Sequence, residues 1–186
     1  MPILTATEVT MYSDISCTVG TIIDKGYIPY IQEKIAYMLN NFFTTDLYLQ
    51  DMMVFGETEC SVRSLGNKFS DWGFCNGDDI YIYNSYRNDG YNVVKTVTLD
   101  KLFVTNPVHD ELSGKSILIS VVEWPLEVKH IAARMIAYDH DERPKRKGIT
   151  SRSLGPLSES YGELDDNGYP KSITDDLAKY RIARAY

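Results

Sequence analysis

The sequence predicts an α+β protein: a small helical bundle, an inserted antiparallel β barrel or sandwich, and an extended C-terminal arm. Three observations lead there. Helical periodicity occurs on both sides of residues 54–123. Between those flanks, short β-rich runs alternate with glycines and polar turns. After the last long helical pattern comes KGITSRSLGPLSESYGE, Lys147 to Glu163, with four serines and too little apolar pattern to build a core. The expected organisation is N-terminal helices over residues 1–50, an inserted β domain over 51–123, a bundle helix over 124–146, and an arm with a short helix over 147–186.

Thr5 followed three residues later by Glu8 has capping-box spacing, so a short helix is expected from Ala6, with Val9 and Tyr12 inward. Pro29 suits a first helical turn. Ile31, Ile35, Met38 and Phe42 follow it on one helical face, and Asn40-Asn41 with Thr44-Thr45 end the pattern. Ile80–Asn84 and Tyr91–Val97 are strand-like, and RNDG between them offers Gly90 for a turn with positive φ. Lys101–Thr105 and Ser116–Val122 add two strands, and Glu59–Ser64 a weaker fifth. Trp72 and Trp124 flank this region, and a tryptophan such as Trp72 is expected to plug the open end of a small barrel. Pro125 then opens a helix whose stripe is Val128, Ile131, Ala132, Met135 and Ile136. Pro144 stops it, and Arg143, Lys145, Arg146 and Lys147 gather at its negative end. Ser172 to Asp175 has capping spacing for a final short helix facing inward through Ile173, Leu177 and Tyr180.

The chain has 186 residues, 44% of them hydrophobic, which is enough for a sizeable core without disulfides. Cys17, Cys60 and Cys75 are sparse, odd in number and without a CxxC, which fits a reducing compartment. The N-terminus has no signal-peptide pattern, and no apolar run reaches the ~20 residues of a membrane helix. Residues 1–126 carry 8 Lys and Arg against 16 Asp and Glu, whereas residues 127–186 carry 11 against 10. The acidic front disfavours nucleic-acid binding, because phosphates would be repelled. Fourteen tyrosines suit surfaces that become interfaces.

Chemistry is sparse. A serine nucleophile needs a base in reach and usually a tight turn such as G-x-S-x-G, which the serine-rich stretch lacks. His109, His130 and His140 are not tied to it by spacing. Asp139, His140 and Asp141 cannot converge on one metal ion while helical, because neighbours point about 100° apart. Asp78-Asp79 and Asp89 lack the ligand spacing of a calcium loop and read as turn residues. There is no phosphate loop and no dinucleotide fingerprint. No enzyme, cofactor or metal is expected.

The order of parts carries more information than any motif. A short helix, the helix around YIPYIQEKIAYMLNNFF, a β insertion, the helix PLEVKHIAARMIAYD, SLGPLSESY and a closing YPKSITDDLAKYR resembles the head-to-tail adaptor (connector) proteins of tailed bacteriophages. The resemblance covers about half the chain, chiefly the helical parts. The β insertion is similar to insertions in some connector proteins. The resemblance implies a structural virion protein, located in the neck between head and tail and in the host cytoplasm during assembly. Such proteins form a dodecameric ring beneath the portal, lengthen the DNA channel and offer a platform to the next neck or tail component. The implied partners are the portal protein, identical subunits, a downstream neck or tail protein, and genomic DNA passing without sequence-specific binding. No membrane is involved. The portal- or subunit-binding arm would comprise Leu154, Leu157, Ser158, Ser160, Tyr161, Tyr180, Arg181, Arg184 and Tyr186, with the basic Lys145, Arg146 and Lys147 near the portal. Tyr81, Tyr83 and Tyr86 would make tail-side or lateral contacts. The alternative is a ligand- or carbohydrate-binding β module on a helical scaffold, with Trp72, Tyr81, Tyr83 and Tyr86 as stacking residues.

Overall fold

The computed structural model describes residues 3–13, 19–24, 26–112, 116–142, 151–154, 157–160 and 163–183. The chain divides into two compact units. One is Phe42–Glu123, and the other draws on residues 2–41 and 124–186.

The first unit is a closed antiparallel barrel of six strands. In chain order these are β1 (Thr44–Gly56), β2 (Ser61–Ser64), β3 (Asp79–Tyr83), β4 (Gly90–Val97), β5 (Lys101–Val104) and β6 (Ser116–Val122). Round the barrel they run β1-β2-β5-β4-β3-β6. The alternation expected of half-buried strands is plain in β3, where Ile80 and Ile82 are buried and Tyr81 and Tyr83 are not. Ile117 and Ile119 of β6, Leu102 and Val104 of β5, and Val62 of β2 complete the interior. Each such side chain contributes roughly 1.5–3 kcal/mol on full burial. Closure leaves no open strand edge in this sheet.

β1 is the largest departure from the sequence reading, which placed residues up to 50 with the helices. Asn40 takes a left-handed φ of 49° and ends the helix. From Thr44 the chain alternates Asp46, Tyr48 and Gln50 with Leu47 and Leu49, the period of a strand. Phe42, read as the end of a helical stripe, belongs to the barrel unit. The plug also differs. Phe69 and Phe74 are buried and meet edge to face at 5.5 Å, while Trp72, on the same 3-10 turn as Phe69, is 50% exposed. Two phenyl rings have no polar atom to satisfy inside the barrel, and an indole has one.

In the second unit, α1 (Ala6–Tyr12) starts with the expected capping box. The Glu8 N–H donates to Thr5 Oγ1 at 3.1 Å, and Glu8 Oε2 accepts from the Thr5 N–H at 2.7 Å. These bonds satisfy donors that a helix start leaves open. α2 spans Val19–Asp24 and α3 spans Tyr27–Leu39. The buried face of α3 is Ile28, Ile31, Gln32, Ile35, Ala36 and Leu39, so Met38 lies beside the stripe and not in it. Gly26 caps α3 at φ 62°, a conformation that costs glycine little. α4 (Leu126–Ala137) buries Val128, Ile131, Ala132, Met135 and Ile136, as the periodicity predicts. It then passes into a π-helical turn, Tyr138–Glu142.

The C-terminal part is not simply extended. Asp165 Oδ1 accepts from the N–H groups of Asn167 and Tyr169, both at 2.9 Å, and so closes a turn. Tyr169 is fully buried, and its hydroxyl donates to Asp139 Oδ2 at 2.5 Å. A helical turn, α5 (Lys171–Thr174), and a 3-10 helix, Asp175–Tyr180, follow. Pro170 sits at the start of α5, so Ser172 is inside the helix and not its cap. Leu177 is buried and Ile173 and Tyr180 are half-buried.

Candidate functional site

β3 and β4 build an aromatic cluster from simple pairing. Tyr81 lies opposite Tyr91 in the register, and opposite residues share a face. Ring centroids are 4.7 Å apart for Tyr81 and Tyr91, 4.4 Å for Tyr81 and Tyr83, and 4.5 Å for Phe42 and Tyr81. The Tyr91 hydroxyl donates to the Phe42 carbonyl at 3.4 Å. Burial pushes the Tyr83 phenol pKa above its ordinary value, against a smaller opposing effect of a hydrogen bond with Thr44. Tyr81 and Tyr83 are thus half-buried and packed on other rings.

Tyr86 is elsewhere, on the loop between β3 and β4, and is 65% exposed. Its backbone is fixed by one carboxylate. Glu111, 8% exposed, accepts the Tyr86 N–H on Oε1 at 2.9 Å and the Asn88 amide on Oε2 at 3.0 Å. Asn88 also exchanges bonds with the backbone of His109. Ser85 donates twice to Asp89 Oδ1, at 2.7 and 2.8 Å. The loop presenting Tyr86 is therefore rigidly tied to the chain before β6.

Residues assigned to the arm fall into three groups. Tyr180 is folded into its own chain: its hydroxyl donates to Glu127 Oε2 at 2.9 Å, and its carbonyl accepts from Asn41 Nδ2 at 2.9 Å. Lys179 pairs with the same Glu127 carboxylate. Hydrogen bonds from Lys179 and then Tyr180 hold the Glu127 carboxyl below its ordinary pKa, and Glu127 raises that of Lys179. The Ile182 N–H donates to the Leu39 carbonyl at 2.9 Å, capping the end of α3, with the exposed Arg181 between. Leu154, Leu157, Ser158 and Ser160 lie on a second, two-stranded sheet of β7 (Ser151–Leu154) and β8 (Leu157–Ser160), in the register Ser151 to Ser160, Arg152 to Glu159, Ser153 to Ser158 and Leu154 to Leu157. Lys145, Arg146, Lys147, Tyr161, Arg184 and Tyr186 lie outside the described residues.

On the barrel, a half-open groove of about 640 Å³ is lined by Glu59, Cys60, Lys95, Thr96, Phe103 and Thr105, among others. Glu59 is tied to Lys101 at 2.9 Å, and that bond lowers its pKa. Among the described residues, no three His, Cys, Asp or Glu side chains gather to hold a metal ion. Nor is any described helix long and apolar enough to cross a membrane.

No family model matches this sequence, and no curated protein does.

Sequence reasoning did not single out the groove, nor the exposed row Tyr48 and Met52 on β1. The row had a legible signal in the alternation of residues 46–50. The groove had none, because its lining comes from three separated stretches, Thr58–Cys60, Lys95–Thr96 and Phe103–Thr105.

Proposed function

We propose that this chain is a structural virion protein, a head-to-tail adaptor. It forms a ring beneath the portal, extends the DNA channel and offers a docking platform to the next neck or tail protein. What supports the reading is the order of parts: one compact unit built from both ends of the chain, interrupted by a barrel unit at residues 42–123. That order carries the resemblance to phage connector proteins. The serine-rich β7–β8 pair is the contact element for the portal or a neighbour. An isolated two-stranded hairpin is marginal in water, and its outer edges carry backbone groups that a partner strand would satisfy. The acidic balance of residues 1–126 suits a channel through which DNA slides without being held.

The test is co-sedimentation of the intact chain with portal particles, followed by electron microscopy of the complex. The expected result is a ring of density under the portal, and absence of binding would end the proposal. Removing residues 184–186 examines the arm while sparing the internal bonds of Tyr180 and Ile182. Weaker portal binding is expected, and unchanged binding would exclude those three residues from the contact.

A further inference from the structure

The 3-10 helix Asp175–Tyr180 and the extended residues after it form a strap. Among the described residues it is anchored at two places. One anchor is the end of α3. The Ile182 N–H donates to the Leu39 carbonyl at 2.9 Å, Asn40 Nδ2 donates to the Ile182 carbonyl at 3.4 Å, and Asn41 Nδ2 donates to the Tyr180 carbonyl at 2.9 Å. The other is the first turn of α4, where Glu127 holds Lys179 and the Tyr180 hydroxyl. These anchors sit on the two stretches that connect to the barrel unit: Asn41 directly precedes it, and Glu127 follows shortly after it ends at Glu123. The strap itself is lightly buried. Leu177 is buried, while Ala178, Lys179, Arg181 and Ile182 are exposed. The connection at α3 is strained. Asn40 has φ 49°, which asparagine tolerates, but Phe43 has φ 56°, which a bulky residue adopts only under constraint. Phe43 is buried, and its carbonyl accepts the Glu123 N–H at 2.9 Å, which joins the entry of the barrel unit to its exit.

We propose that residues 175–183 are a releasable latch. Closed, it holds both chain connections to the barrel unit; open, it lets residues 39–43 relax while both units stay folded. What keeps the latch shut opens easily: hydrogen bonds at the surface and the exposed Glu127–Lys179 pair, with Leu177 as its buried peg. Opening removes the Ile182 N–H from the Leu39 carbonyl, one of the groups that a helix end leaves without an intrahelical partner. Without that bond and the one from Asn41 the last turn of α3 frays, and the strain at Phe43 favours the change. Ile182 uses its N–H and carbonyl on α3 and leaves its apolar side chain 53% exposed. A partner strand that pairs with this backbone therefore has to open the latch, and it shifts the equilibrium only by its preference for the open form. Both anchors act on one segment, so loosening either loosens the other. The inference does not depend on the adaptor reading.

The test is hydrogen exchange followed by NMR on the full free chain, so its outcome is separate from any portal binding. Lys179→Ala together with Tyr180→Phe removes the anchor on α4. It should speed exchange of the Ile182 N–H by about tenfold, and also that of the Asn41 and Glu123 N–H groups, which bond to the Ala36 and Phe43 carbonyls. The Phe55 N–H, bonded to the Glu111 carbonyl in the barrel unit, should keep its rate. Faster exchange at Ile182 alone would reduce the strap to a fraying end and overturn the latch. A parallel rise at Phe55 would mean a loss of global stability and would overturn it too. The reciprocal measurement is Asn41→Ala, which weakens the anchor on α3. Hydrogen bonds from Lys179 and Tyr180 hold the Glu127 carboxyl below its ordinary pKa, so this variant should move the Glu127 titration, followed by NMR, up toward the ordinary value. An unchanged Glu127 titration would show that the two anchors open independently and would overturn the coupling.

Discussion

The barrel and the C-terminal segment both rely on a carboxylate that gathers two donors, but they use it at different depths. Glu111 is 8% exposed and serves the Tyr86 N–H and the Asn88 amide within the barrel unit. Glu127 serves the Tyr180 hydroxyl and Lys179 on the surface of the helical unit. Water can replace the partners of Glu127 at small cost, but it cannot reach those of Glu111 as easily. The Tyr86 loop therefore depends on a shielded contact, whereas the end of the C-terminal segment, beyond the buried Tyr169 and Leu177, is held by contacts that solvent or a partner protein can exchange. That difference fits a rigid module and an adjustable terminus in one chain.

The largest expected effect is in the barrel interior. Phe69→Ala removes a fully buried ring of the barrel core and should cost about 3–5 kcal/mol in chemical denaturation, less only if the neighbours collapse to fill the space. A loss below about 1 kcal/mol would show that Phe69 contributes little to the core. Glu111→Ala leaves the Tyr86 N–H and the Asn88 amide without their acceptor and should cost about 1–3 kcal/mol. It should also raise the hydrogen exchange rate of the Tyr86 amide, and an unchanged rate would separate the loop from Glu111.

Asp51 gives an intermediate case with a sign in pH. Its Oδ2 accepts from the Ser64 hydroxyl and from the N–H groups of Gly66 and Asn67, the latter two at 2.8 and 2.9 Å. Desolvation alone would raise its pKa, but these bonds together with that from the Met52 N–H outweigh it and lower the pKa. A folded pKa below the unfolded one means that Asp51 stabilises the fold above the ordinary aspartate value of about 3.9 and loses this as pH falls through the lowered folded value. Asp51→Ala should therefore destabilise by about 1 kcal/mol at neutral pH, with the difference from the unsubstituted protein shrinking under acid. A difference that grew on acidification would contradict the assignment.

The smallest effect belongs to the surface clasp. Lys179→Ala should leave the denaturation midpoint within error, while the Ile182 amide exchanges faster because the segment that caps α3 is held less firmly. A clear drop in midpoint would put Glu127 and Lys179 on a footing with Glu111 and remove the contrast.

Much of the fold was legible because its signals are local. Thr5 and Glu8 announce α1 through two reciprocal bonds that span three residues. The stripe Val128 to Ile136 becomes the buried face of α4. Ser116–Val122 reads as a strand because its β-branched residues suit a pleated surface, and it is one. β1 was missed because its first residues follow a helical stripe that Phe42 happens to extend in sequence. The candidate surfaces were less legible. Tyr81 and Tyr83 were placed correctly on one face, but their packing on Tyr91 and Phe42 depends on strand register.

The sequence by itself determined the α+β composition, the capped and amphipathic helices, and the strand alternation of Ile80, Tyr81, Ile82 and Tyr83. Each of these follows from neighbours within a few residues, through backbone hydrogen bonding and side-chain period. Tertiary structure alone decided that six strands close into a barrel, that Phe69 and not Trp72 joins its core, and that Tyr180 and Ile182 fold back on Asn41 and Leu39. It also decided that the groove on the barrel gathers Thr58–Cys60, Lys95–Thr96 and Phe103–Thr105 from three separated stretches. Those outcomes depend on residues up to about 140 positions apart meeting in space, and no local period encodes which distant groups will do so.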